Sequence, residues 1–227
     1  TLFYDVGNGL KMSLSTRLEF KNVELLQYGE TSGERRRKRH DQRIANDVQM
    51  HFTRKYLHGR LALSSWLQEQ RYDLDISNSD RPFSARTAFI TPDNASSRNL
   101  LSTFLSSTIS RKDSLSIYAS ISKYQYDTPD TTNFDDRDEL RINTRAVWSH
   151  MFDSNLRLEV LAGVNLYHMV YVFGERSADN NWNRIFLLRP TIEYRPVERF
   201  KLQQSFEVLA NYVDYDFEDP NVQTRSF

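Results

Sequence analysis

Residues 200–217, FKLQQSFEVLANYVDYDF, alternate in character with a period of two. Phe200, Leu202, Phe206, Val208, Ala210 and Tyr212 share one parity, and Lys201, Gln203, Ser205, Glu207 and Asn211 share the other. That period belongs to a β-strand with one dry face and one wet face. The run is about three times the usual strand length of roughly 5–6 residues. A chain built from such segments has few options. Either its apolar face is sealed inside a soluble meander, or that face meets hydrocarbon and the polar face looks inward.

The same alternation recurs along the chain. In LKMSLSTRLEF, Leu10, Met12, Leu14, Leu18 and Phe20 oppose Lys11, Ser13, Ser15, Arg17 and Glu19. In ELRINTRAVW, Leu140, Ile142, Ala146 and Trp148 oppose Arg141, Asn143 and Arg145. In RLEVLAGVNL, Leu158, Val160, Ala162, Val164 and Leu166 oppose Arg157, Glu159 and Asn165. The pattern predicts strands at about 10–26, 46–57, 59–73, 98–111, 114–127, 138–152, 155–173, 184–196 and 199–216, with no helix. Short turns at 56–60, 110–114, 151–155 and 195–199 alternate with long polar segments at about 28–45, 74–97, 128–138 and 174–183. All tight turns then lie at one end of an antiparallel up-and-down meander and all long loops at the other. Residues 1–227 are expected to form a single domain.

Composition removes several classes of function. Thirty basic and thirty acidic residues cancel, so net charge selects no partner. No cysteine is present, which excludes disulfides, thiolate metal sites and cysteine catalysis. No segment approaches the ~20 apolar residues of a membrane helix. Aromatic residues are nevertheless abundant, at 13%.

Three features favour the inverted arrangement. Charges of opposite sign recur on the polar parity, as in Arg17 with Glu19, Arg157 with Glu159 and Arg189 with Glu193. Aromatic residues close the strands: Tyr56, Trp148, Phe152, Tyr194 and Phe200 near the tight turns, and Phe20, Tyr72, Tyr126, Tyr167, Tyr171 and Tyr212 near the long loops. Rings with a polar edge suit the two membrane–water interfaces. The strands also exceed the 9–11 residues that a tilted membrane strand needs. In its alternating strands, turns such as RPVER, aromatic belts and polar loops, the chain resembles bacterial outer-membrane β-barrel proteins. That class includes porins, TonB-dependent receptors and the lipopolysaccharide-exporting barrel. The resemblance implies a transmembrane β-barrel in a Gram-negative-type outer membrane, with a transport, pore or receptor role. Nine strands is an odd number, whereas bacterial single-chain barrels have even numbers. With the start at Thr1 rather than Met, the chain therefore reads as part of a larger barrel.

Candidate functional residues follow from this orientation. Arg17, Glu19, Arg145, Arg157, Glu159, Arg189 and Glu193 are expected to set lumen electrostatics or to dock a plug or periplasmic partner. The run GERRRKRH, with Arg35, Arg36, Arg37, Lys38 and Arg39, is placed in the first long loop. There arginine forks match lipopolysaccharide phosphates. It lacks the interleaved rings of a nucleic-acid site, and no nucleic-acid partner is expected. Asp130, Asp135, Asp136 and Asp138 form a weak calcium candidate without the spacing or turn glycine of an EF-hand. None of HExxH, GxSxG, GxGxxG or a P-loop occurs. The expectation is accordingly a protein without catalytic residues or cofactor, in contact with outer-membrane lipid and lipopolysaccharide. The alternatives are an outer-membrane hydrolase with a rim histidine, and a soluble β-meander that binds a ligand or partner.

Overall fold

The computed structural model describes residues 1–28, 34–72, 93–129, 135–216 and 224–226. They form one antiparallel sheet. Its strands are β1 (Leu2–Gly7), β2 (Leu10–Tyr28), β3 (Glu34–Arg54), β4 (Leu57–Tyr72), β5 (Asn94–Thr108), β6 (Asp113–Asp127), β7 (Arg137–Met151), β8 (Leu156–Tyr171), β9 (Asn181–Val197), β10 (Phe200–Ser205), β11 (Val208–Tyr215) and β12 (Thr224–Ser226). The spatial order follows the chain order from β1 to β9 and continues through β11 to β12, with β10 paired to β9. The all-β up-and-down meander is as expected. The sheet is open in this structure: β1 and β12 end the order.

Ladder registers separate the two faces. One row reads Leu14, Val48, Leu63, Leu101, Ile121, Ile142 and Leu166 across seven strands. The adjacent row on the other face reads Ser13, Gln49, Ala62, Ser102, Ser120, Asn143 and Asn165. A slip of one residue anywhere would exchange these sets, so the alternation pins the register. On β2 the apolar stretch runs from Leu10 to Phe20 and on β8 from Leu156 to Leu166. Beyond it, towards the long-loop end, the same face turns polar. Asn22 bonds His40 at 2.8 Å, Lys123 pairs with Asp138 at 3.0 Å, and His168 stacks on Trp182 at 4.1 Å while meeting Asp216 at 3.1 Å.

There is no second layer over either face among the described residues. Ala62 is the only buried hydrophobic residue among them, whereas Leu18, Phe206 and Val208 are each about 60% or more exposed. A soluble domain of this size would bury many large side chains.

Several elements depart from the sequence expectation. β1 was not anticipated. It is joined to β2 by an Asn8–Gly9 turn in which both residues have positive φ, the geometry of a two-residue hairpin loop that matches strand twist. The last strand is interrupted at Phe206 and Glu207, opposite Pro190. Phe206 N–H donates to the Pro190 carbonyl at 3.1 Å, but proline has no N–H to return the bond, and the ladder breaks there. The count of nine strands is therefore superseded. The segment after β8 contains a 3₁₀ turn, Gly174–Asp179, in place of pure loop. Gly59, opposite Phe52, is covered by the phenyl ring, and a Cβ there would lie 1.9 Å from the ring tip. Gly59→Ala must displace the ring. It is expected to lower the denaturant midpoint by the equivalent of about 1–3 kcal/mol without changing the slope.

Candidate functional site

The polar face gathers the charged residues singled out in the sequence. Arg17, Glu19, Arg145, Arg157, Glu159, Arg189 and Glu193 all fall on it by ladder register. Most are paired, and usually with a residue two positions along the same strand, which the pleat puts on the same face. Arg17 meets Glu19 at 3.7 Å and Arg157 meets Glu159 at 3.0 Å. Glu193 is held by Arg195 at 2.6 Å and by Lys201 at 2.7 Å. Arg189 pairs across the sheet with Glu207 rather than with Glu193. Glu159 and Glu193 come together with Arg157 near the tight turns, whereas Arg17 and Glu19 lie on β2 towards the long loops.

The long-loop half of this face carries an arrangement of rings and guanidinium groups. Tyr126, Tyr167 and Tyr171, expected at an outer belt, fall on the polar face by register. The belt reading of these three is thus corrected: parity, not position near a strand end, decides which way a ring points. Arg137 lies over Tyr126, Arg141 over Tyr167, Arg176 over Tyr171 and Arg43 over Trp66, at 4.2–5.2 Å from the ring centres. Between Arg137 and Arg141 sits Glu139, whose side chain is 8% exposed and which accepts from the two arginines at 3.0 and 3.1 Å. In the 3₁₀ turn, the hydrogen bond from Arg176 to Asp179 pushes the guanidinium pKa up, while its other arm reaches Asp135. These contacts place a guanidinium over one face of each ring.

Apart from Arg43, which has no carboxylate partner among the described residues but lies over the Trp66 ring, three arginines of the polar face differ from the rest. Arg60 on β4, Arg98 on β5 and Arg145 on β7 have no ion-pair partner among the described residues. Arg145 was anticipated from its parity; Arg60 and Arg98 were missed. The usable signal was the residue two positions away. His58 and Ala62 flank Arg60, Ser96 and Leu100 flank Arg98, and Asn143 and Val147 flank Arg145, with no acid among them.

The basic run does not form a loop. Arg35, Arg36, Arg37, Lys38 and Arg39 lie in β3, with backbones laddered to Gln27, Leu26, Leu25, Glu24 and Val23. Extending an already paired strand satisfies one backbone group after another, and that offsets the weak alternation of this stretch. Arg39 meets Asp41 at 2.8 Å. The acidic candidates separate. Asp136 accepts from the Thr128 N–H and hydroxyl at 2.8 and 2.7 Å, Asp135 meets Arg176, and Asp138 meets Lys123. Asp130 lies outside the described residues. No group of three metal-ligating side chains occurs among the described residues. Of the histidines, His51 is on the polar face beside Gln49 at 3.4 Å, and His150 bonds Asp113 at 2.7 Å near a tight turn.

No protein-family model matches the chain, and no curated protein matches it in sequence.

Proposed function

We propose that the chain forms part of the wall of an outer-membrane β-barrel of a Gram-negative-type bacterium. In this reading its apolar face meets lipid, and its polar face lines a water-filled passage with a pore, transport or receptor role. The observation that carries the reading is a wide apolar face left uncovered beside a face of paired charges. In water such a face would aggregate; against hydrocarbon it needs no covering layer.

Dimensions support it. Eleven residues from Leu156 to Leu166 rise roughly 34 Å along the strand at ~3.4 Å per residue. Tilted by about 45°, that covers about 24 Å, close to the ~25 Å apolar band of membrane barrels. The rim at the long-loop end, with Trp182, His168, Arg184 and Lys123, has the mixed polar and aromatic character of a headgroup zone. The basic run beyond it, Arg35–Arg39, is suited to the phosphates of lipopolysaccharide, and a plug or periplasmic partner would meet the polar face.

The test uses the full chain refolded into detergent and then into phosphatidylcholine vesicles. The expected result is a β-sheet spectrum that requires detergent or lipid. Gel mobility should differ between boiled and unboiled samples, and the strands should resist trypsin in vesicles. A folded monomer in plain buffer, ignoring vesicles, would replace this reading with a soluble sheet.

A further inference from the structure

The arginines without acid partners lie close together on the polar face. In one ladder row Arg60, Phe104, Tyr118 and Arg145 follow one another across β4, β5, β6 and β7. Three strand spacings of about 4.8 Å put the two arginine backbones roughly 14 Å apart. Arg60 and Arg145 are exposed, and so is Phe104 between them.

Their immediate neighbours carry no counter-charge. Around Arg60 the cross-strand and diagonal neighbours are His51, Gln49, Thr53, Phe104, Ser102 and Ser106. Around Arg145 they are Tyr118, Ser116, Ser120, Gly163, Leu161 and Asn165. Arg98, higher on β5, faces Trp66 and Tyr124, with Ser64, Gln68, Ser122 and Tyr126 at the diagonals. Of the nearest acids in register, Glu139 is neutralised by Arg137 and Arg141. Among the described residues Asp47 accepts only from the Ser64 hydroxyl and keeps its charge, one carboxylate against the three arginines. Elsewhere on this face, by contrast, the arginines other than Arg43, which lies over Trp66, meet a carboxylate within 4 Å, as at Arg17, Arg137, Arg141, Arg157 and Arg189.

We infer that Arg60, Arg98 and Arg145 form an anion-attracting step on the polar face, which gives the passage a preference for small anionic solutes carrying phosphate or carboxylate. The inference rests on the pore reading above and narrows it to a class of solute. Paired charges nearly cancel at a distance, so the field felt by a passing ion comes from charges without partners. A cationic band with low-dielectric walls builds potentials of a few kT, and each kT multiplies the local anion concentration about 2.7-fold. The serine hydroxyls and the Asn143 amide around the arginines add neutral donors that an anion can use.

The experiment compares the full chain with Arg60→Gln/Arg98→Gln/Arg145→Gln in uncharged phosphatidylcholine bilayers under a potassium chloride gradient. The original chain should give a reversal potential of the sign of chloride preference, several-fold over potassium. The triple variant should move it to near the unselective value. Removing a complete pair on the opposite face, Lys123→Gln with Asp138→Asn, should leave it in place. A cation-preferring original chain, or a triple variant with unchanged selectivity, overturns the inference while leaving the pore reading intact. Should the inserted protein not conduct, titration with pyrophosphate in uncharged micelles, read by phosphorus resonance, decides separately. Binding lost in the triple variant keeps the anion step and rejects the pore, and no binding rejects both.

Discussion

Ala162→Arg is expected to destabilise the vesicle-inserted protein by about 2–4 kcal/mol, the cost of arginine on a lipid face near the bilayer midplane. Ala162 sits in the middle of the apolar stretch of β8, between Val160 and Val164, with Ala146 and Leu188 across the ladders. Two further arginines on the same strand make the result specific. Leu156→Arg, at the tight-turn end of the band, is expected to cost about 0–1 kcal/mol from the charge, because there the guanidinium reaches headgroups. Asn165→Arg, three positions from Ala162 and on the opposite face, is expected to be near neutral. The series is measured as denaturant midpoints of refolding into vesicles. Such a depth profile is a property of lipid. A sealed protein core would penalise arginine without regard to distance from a bilayer centre. A flat profile along the apolar face, or a greater cost at Asn165 than at Ala162, would refute the proposed orientation.

How much of this was legible in the chain depends on which interaction decides each element. Where one face is consistently apolar, as at Leu140 to Trp148 or Leu158 to Leu166, alternation alone gives the strand and its register. The charged candidates from Arg17 to Glu193 were found for the same reason, since parity within a strand also assigns the opposite face. Where pairing rather than pattern makes the strand, the sequence is quiet. The stretch Glu34–His40 has no dry parity, yet it is strand because Asn22–Tyr28 continues beside it. β1 was announced by Gly-Asn-Gly, a hairpin signal that its six-residue length made easy to pass over.

The candidate site divides in the same way. Tyr126, Tyr167 and Tyr171 were placed by their nearness to strand ends, which says nothing about facing; counted from Ile142 or Leu166, their parity is polar. Arg60 was obscured because HGRLALSSW mixes small residues into both faces. Its significance lies in a relation rather than an identity. Arginines with an acid at the second position before or after, such as Arg17, Arg39, Arg137 and Arg157, pair within their own strand, except Arg43, whose neighbour Asp41 is taken by Arg39. Those without one depend on cross-strand partners, which only the register reveals: Arg189 finds Glu207, while Arg60, Arg98 and Arg145 meet uncharged residues.

The second large effect is expected at Glu139. Its carboxylate is shielded from solvent, flanked in register by Tyr124 and Met169, and shared between Arg137 and Arg141. Glu139→Gln keeps the shape but removes the charge, and the amide group can accept from one arginine only while presenting N–H to the other. Two guanidinium groups then face each other without a counter-ion. Breaking a fully buried pair costs about 3–5 kcal/mol, and since Arg137 and Arg141 retain partial access to water, the expected loss is about 2–3 kcal/mol. Glu159→Gln supplies the comparison. That pair is exposed at both partners, and the expected change is under about 1 kcal/mol. Adding Arg141→Gln to Glu139→Gln should recover part of the loss, because it removes one of the stranded charges. Denaturant midpoints of the four proteins test this directly. Equal losses at Glu139 and Glu159 would mean that the ring-and-arginine rim is as open to water as the rest of the polar face, and that the arginines there are not held by a shared buried carboxylate.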